Sequence, residues 1–315
     1  MNNIFKIFSK YKISEPPWDY DFLYNLPKSE YAKYLKKIFK YRTGKNLNLK
    51  NPKTFNEKIQ WIKIYGITPL MRDCTDKVKV RDFIREKIGA EYLKPVLQII
   101  PNYHCNDIND VSTYFDQINF EKLPNSFVIK CNHGCKWHYI VENKNDFLSN
   151  NQLFNTVKQN ITGWLEEEFW CYEGFEMQYK GIVPKLLIEP YMLEAVCKVP
   201  ESIEIFCFSG MPKIFVDIQI KDKHKICVYN EDFSYSDLVL RPQGKKLITE
   251  IPAGDLLKQA VKLSRTLSKE FKFVRVDYMI YKNKLYFEEL TFTPYSGFTD
   301  FNKKWDLKLG NWIKI

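Results

Sequence analysis

The chain of 315 residues has no apolar run that approaches the ~20 residues of a transmembrane helix. It also has no internal repeat and no low-complexity segment. Near the start, Lys6, Ser9 and Lys10 interrupt the apolar stretch, which is not typical of a secretory signal. We therefore expect a cytoplasmic protein, at most peripherally bound to the inner face of a membrane, with its eight cysteines as reduced thiols.

The composition is that of a soluble globular protein. Hydrophobic residues make up 45%, charged residues 27% and aromatic residues 16%, which indicates a large core. The formal net charge of +10 favours polyanionic partners such as nucleotide phosphates or acidic polysaccharide, although a lysine-rich solvated surface explains it equally well. Lysines and arginines are spread along the chain without a nucleic-acid motif, so we do not expect nucleic-acid binding.

The first part of the chain, residues 1–120, is predicted to be mainly helical. A capping box from Thr54 to Glu57 opens an amphipathic helix that Gly66 ends. A second helix of the same pattern ends at Gly89.

Strands mixed with single helices follow. The predicted strands are "LPNSFVIK", "KWHYIV", "VPKLLIEPYM", "IEIFCFSG", "PKIFVDIQI" and the two arms of "FVRVDYMIYKNKLYFEELTF". Two amphipathic helices lie among them, in "LSNNQLFNTVKQNITGWLEEEFW" and "GDLLKQAVKLSRTLSKEF". This order predicts an α+β fold with largely antiparallel sheets.

The last hairpin gathers polar side chains on one face. A turn centred on Asn283 pairs Asp277 with Glu289 and Arg275 with Thr291, and alternation then places all four on the same side of the sheet. The opposite face is apolar, with Val274, Val276, Leu290 and Phe292.

Two carboxylates that face each other across a strand pair repel, and a cation would offset this. Mg²⁺ commonly takes one or two carboxylates together with substrate phosphates. The alternative is that Arg275 bridges both carboxylates on a solvated face. A turn shifted by one residue would separate the pair.

The stretch "FVIKCNHGCKWHYIV" holds two cysteines and two histidines, but a zinc site is the less favoured interpretation. Cys131, His133, Cys135 and His138 lie in one strand–turn–strand, and extended chain does not direct them towards one point. No second cysteine or histidine pair lies nearby in the sequence.

The same stretch favours phosphate binding. Lys130 ends a predicted strand and would supply a point charge, while Gly134 in the turn would let backbone N–H groups approach phosphates. The Walker pattern GxxxxGK[ST] is absent. The alternative is that Lys130 only protects a strand edge.

In combination these segments resemble an ATP-grasp enzyme, more narrowly the teichuronopeptide-biosynthesis (TupA-like) ATP-grasp family. The resemblance runs from about Asn51 to the C-terminus and rests on "NPKTFNEKIQW", "FVIKCNHG", "FCFSGMPK", "FVRVD", "FEELTFTPYSGF" and "WDLKLGNW". It implies an ATP-grasp fold whose two lobes, 121–189 and 190–315, grip ATP. It also implies an ADP-forming ligase that joins a carboxylate-bearing sugar or glycan to an amine or amino acid in bacterial surface (capsular or cell-wall) polysaccharide synthesis, with ATP and Mg²⁺ as cofactors.

The resemblance also assigns residues by position. It implies that Asp277, Glu289 and Thr291 hold Mg²⁺, and that Arg275, Lys130 and Lys225 are catalytic. The implied nucleotide contacts are Lys130, His133, Gly134, Lys136, Ile188, Glu189, Tyr191, Met192 and Phe287, with the 132–136 turn covering the phosphates.

Several positions depart from the family pattern. Cys135 and Lys136 replace a small pair in the turn, and Ser202 and Glu204 replace an acid and a lysine. Ile220 replaces an arginine and leaves Lys221, His224 and Lys225 as the basic candidates. These departures favour altered acceptor recognition. They also keep open a nucleotide-binding polysaccharide-assembly protein without turnover, or one resembling a glycosyltransferase, although no convincing D-x-D motif is present.

Overall fold

Helices come first along the chain and two β-sheets follow. The computed structural model describes residues 19–101, 110–193, 201–219, 225–239, 247–248 and 253–315. The helices are α1 Tyr20–Tyr24, α2 Tyr31–Thr43, α3 Phe55–Trp61, α4 Pro69–Thr75, α5 Val80–Lys87, α6 Lys144–Ser149, α7 Asn151–Glu166, α8 Asp255–Leu267 and α9 Lys303–Trp312. Within those ranges, no helix has the length and apolar character needed to cross a membrane.

The strands form two sheets, which confirms the predicted α+β class. They are β1 Gln98–Ile100, β2 Phe127–Cys131, β3 His138–Val141, β4 Leu186–Pro190, β5 Glu201–Phe208, β6 Met211–Gln219, β7 Lys225–Asn230, β8 Leu247–Ile248, β9 Phe273–Tyr281 and β10 Lys284–Thr291. The small sheet has the order β1-β4-β2-β3 and the large sheet the order β10-β9-β5-β6-β7-β8. All pairings are antiparallel except that of β7 with β8.

The capping box predicted at the start of α3 is confirmed. Thr54 Oγ1 accepts a hydrogen bond from Glu57 N at 3.2 Å, and Glu57 Oε2 accepts one from Thr54 N at 3.0 Å. The helix continues as a π-helical turn, Ile62–Gly66, and ends at the predicted glycine. Phe55 and Ile59 of α3 are fully buried in the core of the large sheet, so this part of the N-terminal region shares a core with that sheet.

One strand of the small sheet comes from the region predicted to be helical. β1 is only three residues long, and a short apolar run cannot be assigned to helix or strand from its periodicity. It pairs with β4 through Ile100 and Leu186. Helix α7 covers this sheet with Val157 and Ile161, which are buried in its core.

The final hairpin has the predicted pairings, but its turn differs from the predicted one and a bulge restores the register. Its turn consists of two residues, Lys282 and Asn283, both with positive φ (50° and 56°). This turn alone would misalign the acids by one residue, but the register shifts between Phe287 and Glu289. Glu288 is the extra residue of this β-bulge. Beyond it, Glu289 pairs with Asp277 as predicted.

Candidate active site

Three carboxylates lie side by side across the large sheet. Asp277 on β9 pairs with Glu289 on β10 and with Glu204 on β5. Directly paired residues project on the same face of a sheet, so the three acids form a row. The sequence identified Glu204 only as a departure from the family pattern, because its distance along the chain from β9 concealed the pairing.

A single arginine, Arg275, lies in the middle of this row. Its Nε and Nη2 donate to Asp277 Oδ1 and Oδ2 at 2.7 and 2.6 Å, a bidentate pair. Glu204 Oε2 and Glu289 Oε1 each lie 3.7 Å from the guanidinium. Burial raises the pKa of Asp277 well above its usual range, and the neighbouring glutamates add to this effect while Arg275 opposes it. Three carboxylates and one guanidinium leave this face negative.

The donor set suits a hard divalent cation. Thr291 Oγ1 lies 3.1 Å from Asp277 Oδ2 and 2.9 Å from Glu289 Oε1, so all the nearby donors are oxygens. In the described part of the chain, no three His, Cys, Asp or Glu side chains are grouped so as to hold a metal ion by themselves. Mg²⁺ fits such a set because it ordinarily completes its shell with phosphate oxygens and water.

A second charged cluster joins the two sheets. Lys130 Nζ on β2 lies 2.8 Å from Glu189 Oε2 on β4 and 3.3 Å from Glu288 Oε1 on β10. Lys94 Nζ lies 2.5 Å from Glu288 Oε2 and 3.4 Å from Glu189 Oε2. Arg81 adds a third cation, 3.7 Å from Glu189 Oε1. Three cations and two carboxylates leave this cluster positive.

The sequence analysis missed Lys94 and Glu288. Lys94 lies outside any motif, and tertiary contacts bring its segment to the cluster, among them the pairing of β1 with β4 and the hydrogen bond from Arg81 to Lys94 O. Glu288 projects here because of the bulge, which alternation does not predict. Burial opposes ionisation of Glu288, but Lys130 and Lys94 hold the pKa of its carboxyl well below its usual range.

The 132–136 turn is anchored by its own buried side chains. His133 Nε2 lies 3.0 Å from Trp164 O and 3.2 Å from Glu167 O, to which it donates. Burial lowers the pKa of His133 to about 4. The side chain is therefore buried and hydrogen-bonded to the protein, and contact between this residue and the nucleotide stays a prediction.

Gly134 also has a packing role. A Cβ at this position would lie 2.1 Å from Trp137 Cε3, so the glycine lets the indole pack beneath the turn. Its backbone does not have a positive φ. The neighbouring Lys136 is exposed at a φ of 62°. Phosphate contact by this turn stays a prediction.

Cys135 lies in the 132–136 turn and is partly buried. Burial raises the pKa of its thiol to about 11, and the Glu289 carboxylate adds to the shift. Six described cysteines form no disulfide with one another.

The other residues predicted to contact the nucleotide differ in their burial. The Ile188 side chain is buried in the core of the small sheet, whereas Tyr191 and Met192 follow β4 and are partly exposed. Lys130 and Lys94 contact the carboxylate of Glu189, and contact between Glu189 and the nucleotide stays a prediction.

Phe287 and Lys225 complete the set. Phe287 pairs with Tyr278, and both are buried in the large core, on the face opposite the acid row. The bulge reverses the alternation before Glu289. Contact between Phe287 and the nucleotide stays a prediction. Lys225 begins β7, but its side chain lies outside the described structure, as do Ile220, Lys221 and His224.

One protein family matches the chain over most of its length. Residues 57–314 match the family model described as TupA-like ATPgrasp. Among solved structures, D-alanine–D-alanine ligase from Bacillus anthracis is similar, with 19% identity, a TM-score of 0.41, and coverage of 73% of this chain and 62% of that chain. The D-alanine–D-alanine ligase of Helicobacter pylori shares 12% identity, with a TM-score of 0.41 and coverage of 82% and 69%.

A third similar structure is the D-cycloserine synthetase DcsG, with 14% identity, a TM-score of 0.41, and coverage of 77% of this chain and 70% of that chain. The chain thus spans less than two thirds of the length of the Bacillus anthracis ligase. No curated protein matches the chain.

Proposed function

The chain belongs to the TupA-like ATP-grasp family, and we propose that it is an ADP-forming carboxylate–amine ligase. The observation that carries the proposal is the juxtaposition of two charged clusters by adjacent residues of β10. Glu289 belongs to the acid row, and Glu288 contacts Lys130 and Lys94 of the other cluster. Such a pair of sites suits a metal-bound triphosphate, with cations for phosphate oxygens and carboxylates for a divalent ion.

The residues then take distinct tasks. Lys130 and Lys94 neutralise phosphate oxygens, and Arg275 lies where it can stabilise charge on the transferred phosphoryl group. Mg²⁺, when bound by Asp277, Glu289 and Thr291, supplies further charge neutralisation. Thr291 helps through its hydroxyl, which is within hydrogen-bond distance of both acids.

The reaction requires no side-chain nucleophile. A carboxylate oxygen of the acceptor attacks the γ-phosphorus of ATP, the bond to the bridging oxygen breaks, and ADP leaves. The amine then attacks the acyl carbon and loses a proton, and the C–O bond to phosphate breaks to give an amide and inorganic phosphate. Positioning and charge stabilisation supply most of the rate enhancement in phosphoryl transfer.

For the acceptor we propose a uronic acid in a bacterial surface polysaccharide or its precursor, and for the donor an amino acid or other amine. The formal net charge of +10 supports an acidic glycan partner. We propose that the reaction takes place in the cytoplasm, with 121–189 and 190–315 as the two lobes that hold ATP.

A two-step experiment tests the function. In a thermal-shift assay, ATP or ADP with Mg²⁺ should raise the melting temperature of the protein. In a turnover assay, ADP release should depend on both a sugar acid and an amine. Nucleotide binding without ADP release across a panel of acceptors would favour the alternative of a binding protein. Absence of any nucleotide effect would contradict the proposal.

A further inference from the structure

The loop that follows β10 has an unusual backbone. Three consecutive residues, Tyr295, Ser296 and Gly297, have positive φ values of 52°, 53° and 69°. Two of them carry a Cβ, and such conformations are strained and persist only where the surrounding structure imposes them. Strained backbone of this kind is concentrated at active sites and at loops that bind ligands.

Helix α3 and its π-helical extension, Ile62–Gly66, hold the loop in this conformation. Asn56, Gln60 and Lys63 lie on one face of the helix, and all three are buried. Gln60 Nε2 donates to Ser296 O at 2.9 Å and to Gly297 O at 2.8 Å. A Cβ on Gly297 would lie 2.5 Å from that same nitrogen, so the loop rests directly on the helix.

Lys63 fixes the middle of the loop with a fully buried ammonium group. Its Nζ donates to Ser296 O at 2.6 Å, to Ser296 Oγ at 2.5 Å and to Gly174 O at 3.0 Å. Burial lowers the pKa of Lys63 to about 8, and Glu176 and Glu173 oppose that shift. A buried charge is costly, and its donors here are directed at Ser296 and at the backbone carbonyls of Glu173 and Gly174.

Thr293, between β10 and this loop, has hydrogen bonds of its own. Thr293 Oγ1 donates to Glu176 and accepts from Gln178 Nε2 at 2.6 Å. Thr293 is two residues beyond Thr291, which contacts both acids of the predicted metal site. The loop held by α3 therefore follows the acid row closely along the chain.

The contacts with Gln60 and Lys63 hold the loop that places Tyr295. Its ring centre lies 5.7 Å from Arg275 Cζ, and 36% of the side chain is exposed. The loop thus presents an aromatic face and a phenol beside the guanidinium of the acid row. An aromatic face packs against the C–H groups of a sugar ring, while the phenol and the guanidinium hydrogen-bond to a carboxylate.

We propose that Tyr295 forms a wall of the acceptor subsite and contacts a carboxylate-bearing sugar, and that Gln60 and Lys63 are positioning residues that hold it there. This inference rests on the proposed ligase function and adds a specificity residue and a role for the N-terminal helix. It assigns recognition of the sugar to the loop after β10 rather than to the phosphate cluster.

Steady-state ADP release with D-glucuronate and a glucuronate-containing oligosaccharide as probes tests the proposal. Tyr295→Ala should raise the KM for the acceptor about 10-fold or more, a loss of one buried aromatic contact, while the KM for ATP changes less than 2-fold. Lys63→Met, which keeps the length of the side chain, should raise the acceptor KM in the same direction.

Lys58→Met is the matched control, because Lys58 lies on the same helix but donates to Ile313 O at 2.8 Å, away from the loop. It should leave both KM values unchanged. Should Lys63→Met fail to fold, Gln60→Met and Tyr295→Phe test the same points more gently. Equal changes in the two KM values, or an unchanged acceptor KM in Tyr295→Ala, would overturn the inference.

A binding measurement separates this inference from the proposed function. Calorimetry with the glucuronate oligosaccharide and Mg-ADP should show binding to the wild type that Tyr295→Ala weakens about 10-fold. Such binding without ADP release by the wild type would refute the ligase and keep the subsite. Absence of sugar binding by the wild type would refute the subsite.

Discussion

Glu288 and Glu289 are neighbours in the chain, yet they belong to clusters of opposite charge. Glu288 contacts Lys94 and Lys130, whereas Glu289 lies in a row with two other acids and one arginine. The pKa directions follow this division. Lysines hold the pKa of Glu288 below its usual range, while burial and neighbouring acids raise that of Asp277.

The difference teaches how a hairpin serves two sites at once. A regular strand would send adjacent side chains to opposite faces, one into the core. The bulge at Glu288 lets both glutamates leave the core face, and it brings β10 into contact with Lys130 of the small sheet. One irregularity thus creates a positive cluster suited to phosphates beside a negative one suited to a cation.

The largest expected effect is on the acid row. Glu289→Gln and Asp277→Asn should each reduce ADP release at least ~100-fold, because each removes a carboxylate from the predicted metal site. Glu288→Gln, one residue away, is the matched control and should keep turnover within about 10-fold of wild type. Similar losses in the Glu288 and Glu289 variants would contradict the division between the two clusters.

Next in size is the effect on nucleotide affinity. Lys130→Met should weaken Mg-ADP binding about 10- to 100-fold, because a cation that neutralises phosphate is lost. Calorimetry at fixed ionic strength measures this change. Lys158→Met is the control, since Lys158 lies in the same lobe as Lys130 and pairs with Asp116 on the surface. Unchanged affinity in Lys130→Met would mean that the positive cluster does not bind phosphate.

A smaller effect concerns the 132–136 turn, which packing anchors independently of either cluster. The folded-state pKa of His133, about 4, is below its ordinary 6.5, so the unfolded chain binds more protons between these values. The wild type should therefore lose about 2 kcal/mol of unfolding free energy when the pH falls from 7.5 to 5. His133→Gln should lose correspondingly less, as measured by urea unfolding at both pH values. Equal losses in the two proteins would show that His133 is not buried in its neutral form.

The sequence predicts the regular parts of this fold well, for physical reasons. The capping box at Thr54, the apolar alternation of β9 and the glycine after β5 are local signals, and the elements they predict are all present. The pairing of Asp277 with Glu289 was also predicted, although the turn was placed wrongly and a bulge compensated for it.

What the sequence does not reveal is non-local or irregular. Glu204 meets Asp277 through a pairing between strands more than 60 residues apart in the chain, counted from their numbers. Lys63 looks like an ordinary surface lysine of an amphipathic helix, and only tertiary packing shows it buried against Ser296. Charged residues that periodicity assigns to solvent are therefore where function was missed.

The smallest expected effect is an increase in the affinity for Mg-ADP when the charge of Glu288 is removed. Both carboxylate oxygens of Glu288 are engaged, one by Lys94 and one by Lys130, so this carboxylate competes with a phosphate for both lysines. Glu288→Gln removes the competing charge and should tighten Mg-ADP binding about 3- to 10-fold, a difference of roughly 1 kcal/mol. Glu189→Gln is the comparison variant, because Glu189 is buried among three cations and its loss should chiefly lower the melting temperature. Calorimetry and thermal unfolding of both variants separate the two outcomes. Weaker binding by Glu288→Gln would mean that this carboxylate holds the nucleotide itself, which would place it with Glu289 and end the contrast between the two neighbours.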